Sequence, residues 1–233
     1  MNQTTKDLWL FDYNDGLVYE MFSQCEDAGQ KIFRYLEGKY DFRGLTLLEI
    51  GAGSGKFTQF LAQSCKELYV IERCEPLILI NKVKNDFGEN IHFYQTDVKD
   101  FNIESVKFDV IFGGWSMTSM RDDFPNVFKS LIKVLKNDGK IILVENAGDD
   151  EFAKITGIEE LSFEMREFYK KIGFREQAIL NTVIDLKNAQ VFYDAFPNLT
   201  DTELESLKIQ HRVVILEADC QDLIKGGEYY EDC

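Results

Sequence analysis

The chain is short of the residues that build metal centres, disulfide frameworks and nucleic-acid surfaces. With only two histidines, His92 and His211, no histidine-rich metal cluster can be assembled. The five cysteines, Cys25, Cys65, Cys74, Cys220 and Cys233, are an odd number and include no CxxC pair, which argues against a disulfide framework or a zinc site. Cys74 reads as a small buried hydrophobe. No internal repeat, low-complexity stretch or long linker interrupts the chain, and proline occurs only at Pro76, Pro125 and Pro197. No apolar run approaches the roughly 20 residues needed to cross a bilayer. The first seven residues are polar and lack the basic-then-apolar layout of a signal peptide, so a cytoplasmic location is expected. Lysine and arginine are outnumbered 26 to 41, for a net charge of −15. A phosphate backbone needs a basic surface, so neither nucleic acid nor an anionic membrane is an expected partner. Lys129, Lys133, Lys136 and Lys140 come nearest to a basic patch, but their spacing is that of a solvated helix face and turn.

What is abundant is core-forming material. Apolar residues make up 45% of the 233 positions and aromatics 13%, enough for one sizeable α/β domain. Short apolar runs read as strands at 45–50, 68–71, 91–94, 108–112 and 141–144, and two more at 178–185 and 212–218. Between them lie segments with helical period. One carries Phe57, Phe60 and Leu61; another runs from Phe124 to Leu135 with Pro125 in its first turn. A third carries Leu161, Met165, Phe168, Tyr169 and Ile172, with Gly173 as its C-cap. Asn137-Asp138-Gly139 is expected to end the second of these helices and turn the chain into the fifth strand. Before the first strand comes a helical stripe of Cys25, Ile32, Phe33 and Leu36. Residues 188–196 read as a helix inserted before the last strand, and Thr200-Asp201-Thr202-Glu203 has the capping-box pattern of a further helix start. Strands alternating with helices imply a parallel sheet flanked by helices.

The strongest local signal is Leu47-Leu48-Glu49-Ile50-Gly51-Ala52-Gly53-Ser54-Gly55, which leaves a strand and opens a helix. Glycines there allow a tight turn and bring backbone N–H groups close to a ligand. A phosphate-binding GxxxxGK[ST] loop fails twice, because Ile50 stands at its first glycine and Phe57 at its Ser/Thr. A dinucleotide GxGxxG fails at its third glycine, which is Lys56. What remains is an acidic residue followed by GxGxG.

This loop resembles motif I of the class I S-adenosylmethionine-dependent methyltransferases, and the likeness continues in order along residues 45–145. Val70-Ile71-Glu72 resembles the family's acidic end of strand two, which implies that Glu72, followed by Arg73, accepts from the ribose hydroxyls. Tyr94-Gln95-Thr96-Asp97-Val98 is similar to the segment beside the adenine amine, with Asp97 as acceptor and the Val98 N–H as donor. Phe108-Asp109 and the Leu135-Lys136-Asn137-Asp138-Gly139 turn match the fourth and fifth strands. The resemblance implies a Rossmann-like, mostly parallel seven-stranded sheet flanked by helices. It also implies a single domain in three parts: an N-terminal helical cap over 1–43, a cofactor-binding core over 44–146, and a C-terminal part over 147–233 with an acceptor-lid insert. Its cofactor would be S-adenosyl-L-methionine, bound by Tyr19, Glu49, Gly51, Ala52, Gly53, Glu72, Arg73, Asp97, Val98, Gly113 and Trp115. Structural alternatives stand beside several of these roles. Glu49 could cap the next helix, Glu72 could be a solvated strand end, and Asp97 an ordinary turn residue. Trp115 could either face the sulfonium or pack in the core.

Methyl transfer from a sulfonium is an in-line displacement in which the protein chiefly aligns the reactants. A small, partly apolar acceptor is expected. Its pocket would lie between the N-terminal segment, with Asp12, Tyr13, Tyr19 and Glu20, and the insert, with Val191, Phe192, Tyr193, Ala195 and Phe196. Glu145, His211 and Glu20 are candidate bases, none of them assigned. O-, N-, S- and C-methylation stay open, as does oligomeric state. The rival readings are a non-catalytic cofactor-binding module and a nicotinamide-dependent oxidoreductase.

Overall fold

Runs apolar at every position, rather than at every second one, become strands buried on both faces. The computed structural model describes residues 15–85, 88–103 and 105–226, and Asp12 and Tyr13 lie outside them. Its strands are β1 (Thr46–Ile50), β2 (Glu67–Glu72), β3 (Ile91–Gln95), β4 (Phe108–Gly114), β5 (Leu135–Asn146), β6 (Arg175–Asp185) and β7 (Lys208–Asp219). Its helices are α1 (Gly16–Ser23), α2 (Lys31–Lys39), α3 (Thr58–Ala62), α4 (Glu75–Asn85), α5 (Phe124–Val134), α6 (Glu151–Thr156), α7 (Glu159–Lys171), α8 (Ala189–Ala195) and α9 (Cys220–Lys225). The strands form one sheet in the order β3-β2-β1-β4-β5-β7-β6. Only β7 runs against the rest, antiparallel to both β5 and β6. The expected Rossmann-like, mostly parallel seven-stranded sheet is therefore what the chain forms.

Alternation along each strand divides the core between two faces. Leu48 and Ile50 of β1, Ile111 of β4 and Ile141 and Leu143 of β5 face a layer that includes Phe124, Phe128, Leu131, Tyr169 and Phe174. Leu47, Val110, Phe112, Ile142 and Val144 face Ile32, Leu36, Phe57 and Leu61. A third cluster joins Phe22, Phe152, Phe192 and Phe196 to Ile184 and Ile209, where β6 ends and β7 begins. It covers the same end of the sheet to which the parallel strands point their carboxyl termini. β1 pairs with β2 on one side and β4 on the other, so strand order reverses there and opens a crevice beyond Ile50.

Two expectations about local structure are corrected. After the 3₁₀ turn Pro197–Leu199, the residues from Thr200 to Leu207 form no helix. A cap needs an apolar face behind it; here Leu204 packs inward while Leu207 is 41% exposed, and Thr202 instead gives its carbonyl to the Tyr193 hydroxyl. Likewise α5 ends at Val134, and Asn137-Asp138-Gly139 lies inside the irregular start of β5 rather than at the helix end. Phe108 pairs with Leu135 and Val110 with Lys140, so the extra residues bulge out, and Asp109 between them accepts from Lys136 Nζ at 2.6 Å.

Phe128 is wholly buried between α5 and the sheet. Phe128→Ala should lower unfolding free energy by about 3–5 kcal/mol in urea titration, the usual result of a large aromatic cavity.

Candidate functional site

The chain leaves β1 through a turn in which Gly51, Gly53 and Gly55 have φ of +58°, +56° and +89°. That left-handed geometry suits glycine, and all three are also enclosed, Gly51 by the Ser116 side chain. A Cβ on Gly53 would stand 2.9 Å from the Tyr19 hydroxyl oxygen, and one on Gly55 2.3 Å from Asn81 Oδ1 and from Asn85 Nδ2. Beneath the turn runs a buried polar relay. Thr58 Oγ1 donates to Glu49 at 2.6 Å, and Asn81 Nδ2 donates to Thr58 at 2.9 Å. Asn85 Nδ2 donates to Asn81 at 2.9 Å and to the Gly55 carbonyl at 3.2 Å, while Asn81 Nδ2 lies 3.5 Å from the Gly53 carbonyl. The turn's carbonyls are held from below, which leaves its upper side for a ligand. Burial pushes the Glu49 carboxyl up to about 8, and the Glu72 charge adds to this, so Glu49 is largely uncharged at neutral pH.

Above the turn is an open cleft of about 230 Å³. The carboxylate of Glu72, one residue beyond the Ile50–Ile71 pair, closes one side. It accepts from Gly53 N at 2.9 Å and Cys74 N at 2.8 Å, one bond to each oxygen, which leaves lone pairs facing the cleft. Arg73, Asp97 and Val98 line the next part of the wall, and Gly51, Gly53, Tyr19 and Trp115 complete it. Asp97 also caps the 3₁₀ turn Val98–Asp100 by accepting from Lys99 N, so it fills its turn role and the cleft position together. Ile71, Leu77 and Met120 supply apolar surface, and Thr96, Ser116 and Ser119 polar surface, none of it foreseen from sequence. Glu49 and Ala52 do not reach this cleft; they line a narrow hollow beside it with Lys56, Phe57 and Trp115. Gly113 lines neither space, because Ser116, Leu143 and Ile50 close around it.

Past Trp115 the cleft meets a second cavity, walled by Phe22, Phe152, Phe196 and Ile158 with Glu26, Glu145, Asn146 and Thr118. Tyr19 and Trp115 belong to both spaces. Trp115 holds φ at +50°, a costly value for a non-glycine residue. Its N–H donates to the Val144 carbonyl at 2.8 Å, and its ring lies between Phe57 and His211, with centroids 5.7 and 6.0 Å away. It is thus packed and ligand-facing at once, and its buried Nε1 has no hydrogen-bond partner. Lys56 ties the N-terminal segment to the glycine turn. Its ammonium donates to the carbonyls of Ser23 and Glu26 and lies 3.6 Å from the Glu26 carboxylate.

The three candidate bases separate clearly. Glu20 turns away to Lys84, 2.7 Å off. His211 is buried with Nε2 2.9 Å from Asn146 Oδ1, and burial, with Lys56 adding, pushes it down to about 3; it is neutral and does not line the second cavity. Glu145 does line it. Its oxygens accept from Met117 N at 3.2 Å and Thr118 Oγ1 at 3.1 Å, and burial pushes its carboxyl up to about 7. Among the described residues no group of histidine, cysteine or acidic side chains could hold a metal.

Comparison with known proteins bears on this geometry directly. A family profile described as a methyltransferase domain matches residues 48–143, which run from β1 through β5. Over these residues the chain is similar to a methyltransferase domain. The nicotinamide reading loses its basis with that match. Phosphoethanolamine N-methyltransferase 1 of Zea mays is 32% identical over 117 residues, 47% of this chain and 23% of that protein. The chain thus spans about a quarter of this curated relative's length. Two solved structures share the fold. The YcgJ protein from Bacillus subtilis superposes with a TM-score of 0.59 at 15% identity, covering 79% of this chain and 96% of that one. Magnesium protoporphyrin IX methyltransferase from Synechocystis PCC 6803, with bound S-adenosylhomocysteine, gives 0.52 at 13%, covering 94% and 88%. The residues of this site fit the cofactor: a glycine cradle that a Cβ would obstruct, a carboxylate with free lone pairs, and an aromatic ring where the two spaces meet.

Glu72→Ala removes the clamp on Gly53 and the expected hydroxyl acceptor. It should weaken S-adenosylmethionine binding by about 1–3 kcal/mol in calorimetry; unchanged affinity in a folded variant would remove the ribose assignment. Glu49 gives a stability prediction. Its folded value of about 8 exceeds the reference 4.5, so the folded state binds the extra proton between them. Its contribution is therefore fully present below 4.5 and is lost as pH rises towards 8. Glu49→Gln should flatten that decline when wild type and variant are denatured with urea at several pH values across this window.

Proposed function

We propose that the chain transfers the methyl group of S-adenosyl-L-methionine to a small, partly apolar acceptor by in-line displacement. The observation that carries this reading is the pair of spaces joined at Tyr19 and Trp115, one lined by the glycine turn and Glu72, the other by aromatic rings and buried polar groups. The cofactor, when bound, supplies an already activated methyl group on sulfur. The protein's part is then alignment and exclusion of water. In this reading Gly51, Ala52 and Gly53 present the turn's backbone, Glu49 holds it from below, and Glu72 and Arg73 take the ribose side. Asp97 and Val98 take the adenine side. Trp115 and Tyr19 line the junction, and Gly113 leaves room for the turn at Ser116. The whole chain acts as one domain, with 1–43 as cap, 44–146 as cofactor core and 147–233 carrying the insert.

α8 supports the acceptor-lid role of the insert. It packs on α1, and Phe196 at its end lines the second cavity together with Trp115. The relative from Zea mays is named for a small acceptor, which agrees with a small cavity. Nucleic acid stays outside the proposal because the chain carries a net charge of −15. Among the described residues no helix is long and apolar enough to cross a membrane, and we place the protein in the cytoplasm.

Calorimetry with S-adenosylhomocysteine, followed by an acceptor screen with labelled methyl, tests the reading. NADH should neither bind with about micromolar affinity nor displace S-adenosylhomocysteine. Phe196→Ala should reduce acceptor turnover while leaving cofactor affinity nearly unchanged; equal losses in both would point to general destabilisation. Tight cofactor binding with no methyl consumed by any acceptor would favour a binding module instead.

A further inference from the structure

The second cavity has an unusual charge balance for a space whose apolar wall is mostly aromatic rings. Phe22 stands edge-on to Phe196 at 5.1 Å, and Phe152 stands edge-on to Phe196 at 5.9 Å, so three aromatic rings form one continuous wall. Two carboxylates face the same space, Glu26 and Glu145. Glu26 has its counter-ion in Lys56, 3.6 Å away. The donors on Glu145 are neutral, among them the Met117 N–H and the Thr118 hydroxyl. The other titratable group packed on it, Tyr169 of α7, is neutral, since burial and the Glu145 charge hold its hydroxyl well above the usual range. No lysine or arginine is among the described lining residues.

The geometry points to an unphosphorylated amine carrying a hydrophobic group as the methyl acceptor, with its nitrogen held by Glu145. This rests on the methyl-transfer reading above. An ammonium supplies the counter-ion that Glu145 lacks, and ring faces favour a cation beside them. The same wall receives the apolar substituent. Phosphorylated amines, carboxylates and phenolates would instead bring an anion to a cavity that holds two carboxylates and no free cation. The ammonium passes one proton to a Glu145 oxygen, which frees the nitrogen lone pair. That pair forms the new N–C bond while the C–S bond breaks and its electrons stay on sulfur, giving S-adenosylhomocysteine and a methylated ammonium. The proton on Glu145 returns to solvent. The raised affinity of buried Glu145 for a proton narrows the gap to an ordinary amine and helps the first step.

The test begins with calorimetric titration of S-adenosylhomocysteine. Absence of binding would overturn the methyl-transfer reading, and this inference with it. If it binds, labelled S-adenosylmethionine is offered with arylalkylamines of increasing length, the matching alcohols and carboxylates, and phosphoethanolamine. The expected result is label on nitrogen in the arylalkylamines alone. E145Q should lose about 100-fold or more in turnover while its affinity for S-adenosylhomocysteine changes by no more than about twofold. An arylalkyl trimethylammonium ion, which cannot be methylated, should compete with the amine in the wild type, a measurement that needs no variant. Label in alcohol, carboxylate or phosphoethanolamine in preference to amine would overturn the inference. So would an unlabelled amine series despite cofactor binding, failure of the quaternary ion to compete, or an E145Q turnover within about threefold of wild type.

Discussion

A turn built on three left-handed glycines must find partners for its backbone polar groups, and most of this site depends on how that is done. The Gly53 and Gly55 carbonyls point into the protein, where Asn81 and Asn85 of α4 meet them. These amides are in turn positioned by Thr58, and Thr58 by Glu49. Every link is buried, so a missing member would leave an unsatisfied polar group costing about 1–3 kcal/mol. The relay ties the end of β1, the start of α3 and the last turns of α4 to one another. The glycine turn is rigid because three elements hold it, although its own residues are the most permissive in the chain.

The same logic extends sideways. Glu72 clamps the upper side of the turn through Gly53 N. Lys56 binds the loop between α1 and α2 to the exit of the turn through two carbonyls and a carboxylate. Trp115 is held in a strained backbone conformation by its N–H bond to β5 and by rings on both sides. Strain at this position, where two ligand-sized spaces meet, is offset by the surrounding packing.

The central part of the fold was readable because its signals are local. Five parallel strands with continuous apolarity, the GxGxG spacing and an acidic strand end at Glu72 each occupy a few consecutive residues. Pro125 marked the first turn of α5. The polar relay was missed, although Asn81 and Asn85, four apart on one helix face, were a signal available in the sequence. Of the second cavity, only the meeting of the N-terminal segment with Phe196 was foreseen. Phe22, Phe152 and Phe196 come from three distant segments and meet only through tertiary packing. The capping box at Thr200 failed for the opposite reason: a local pattern lacked the buried face that would have sustained a helix. Trp115 left both its readings open, and it fills both.

Tyr19 and Trp115 are walls of two compartments, and a shared wall makes those compartments thermodynamically reciprocal. An occupant of either that shifts one of these rings alters the shape of the other. By linkage, whatever factor the first ligand imposes on the affinity of the second, the second imposes on the first. A partition of two side chains therefore makes the order of loading and release a property of the protein as well as of its ligands.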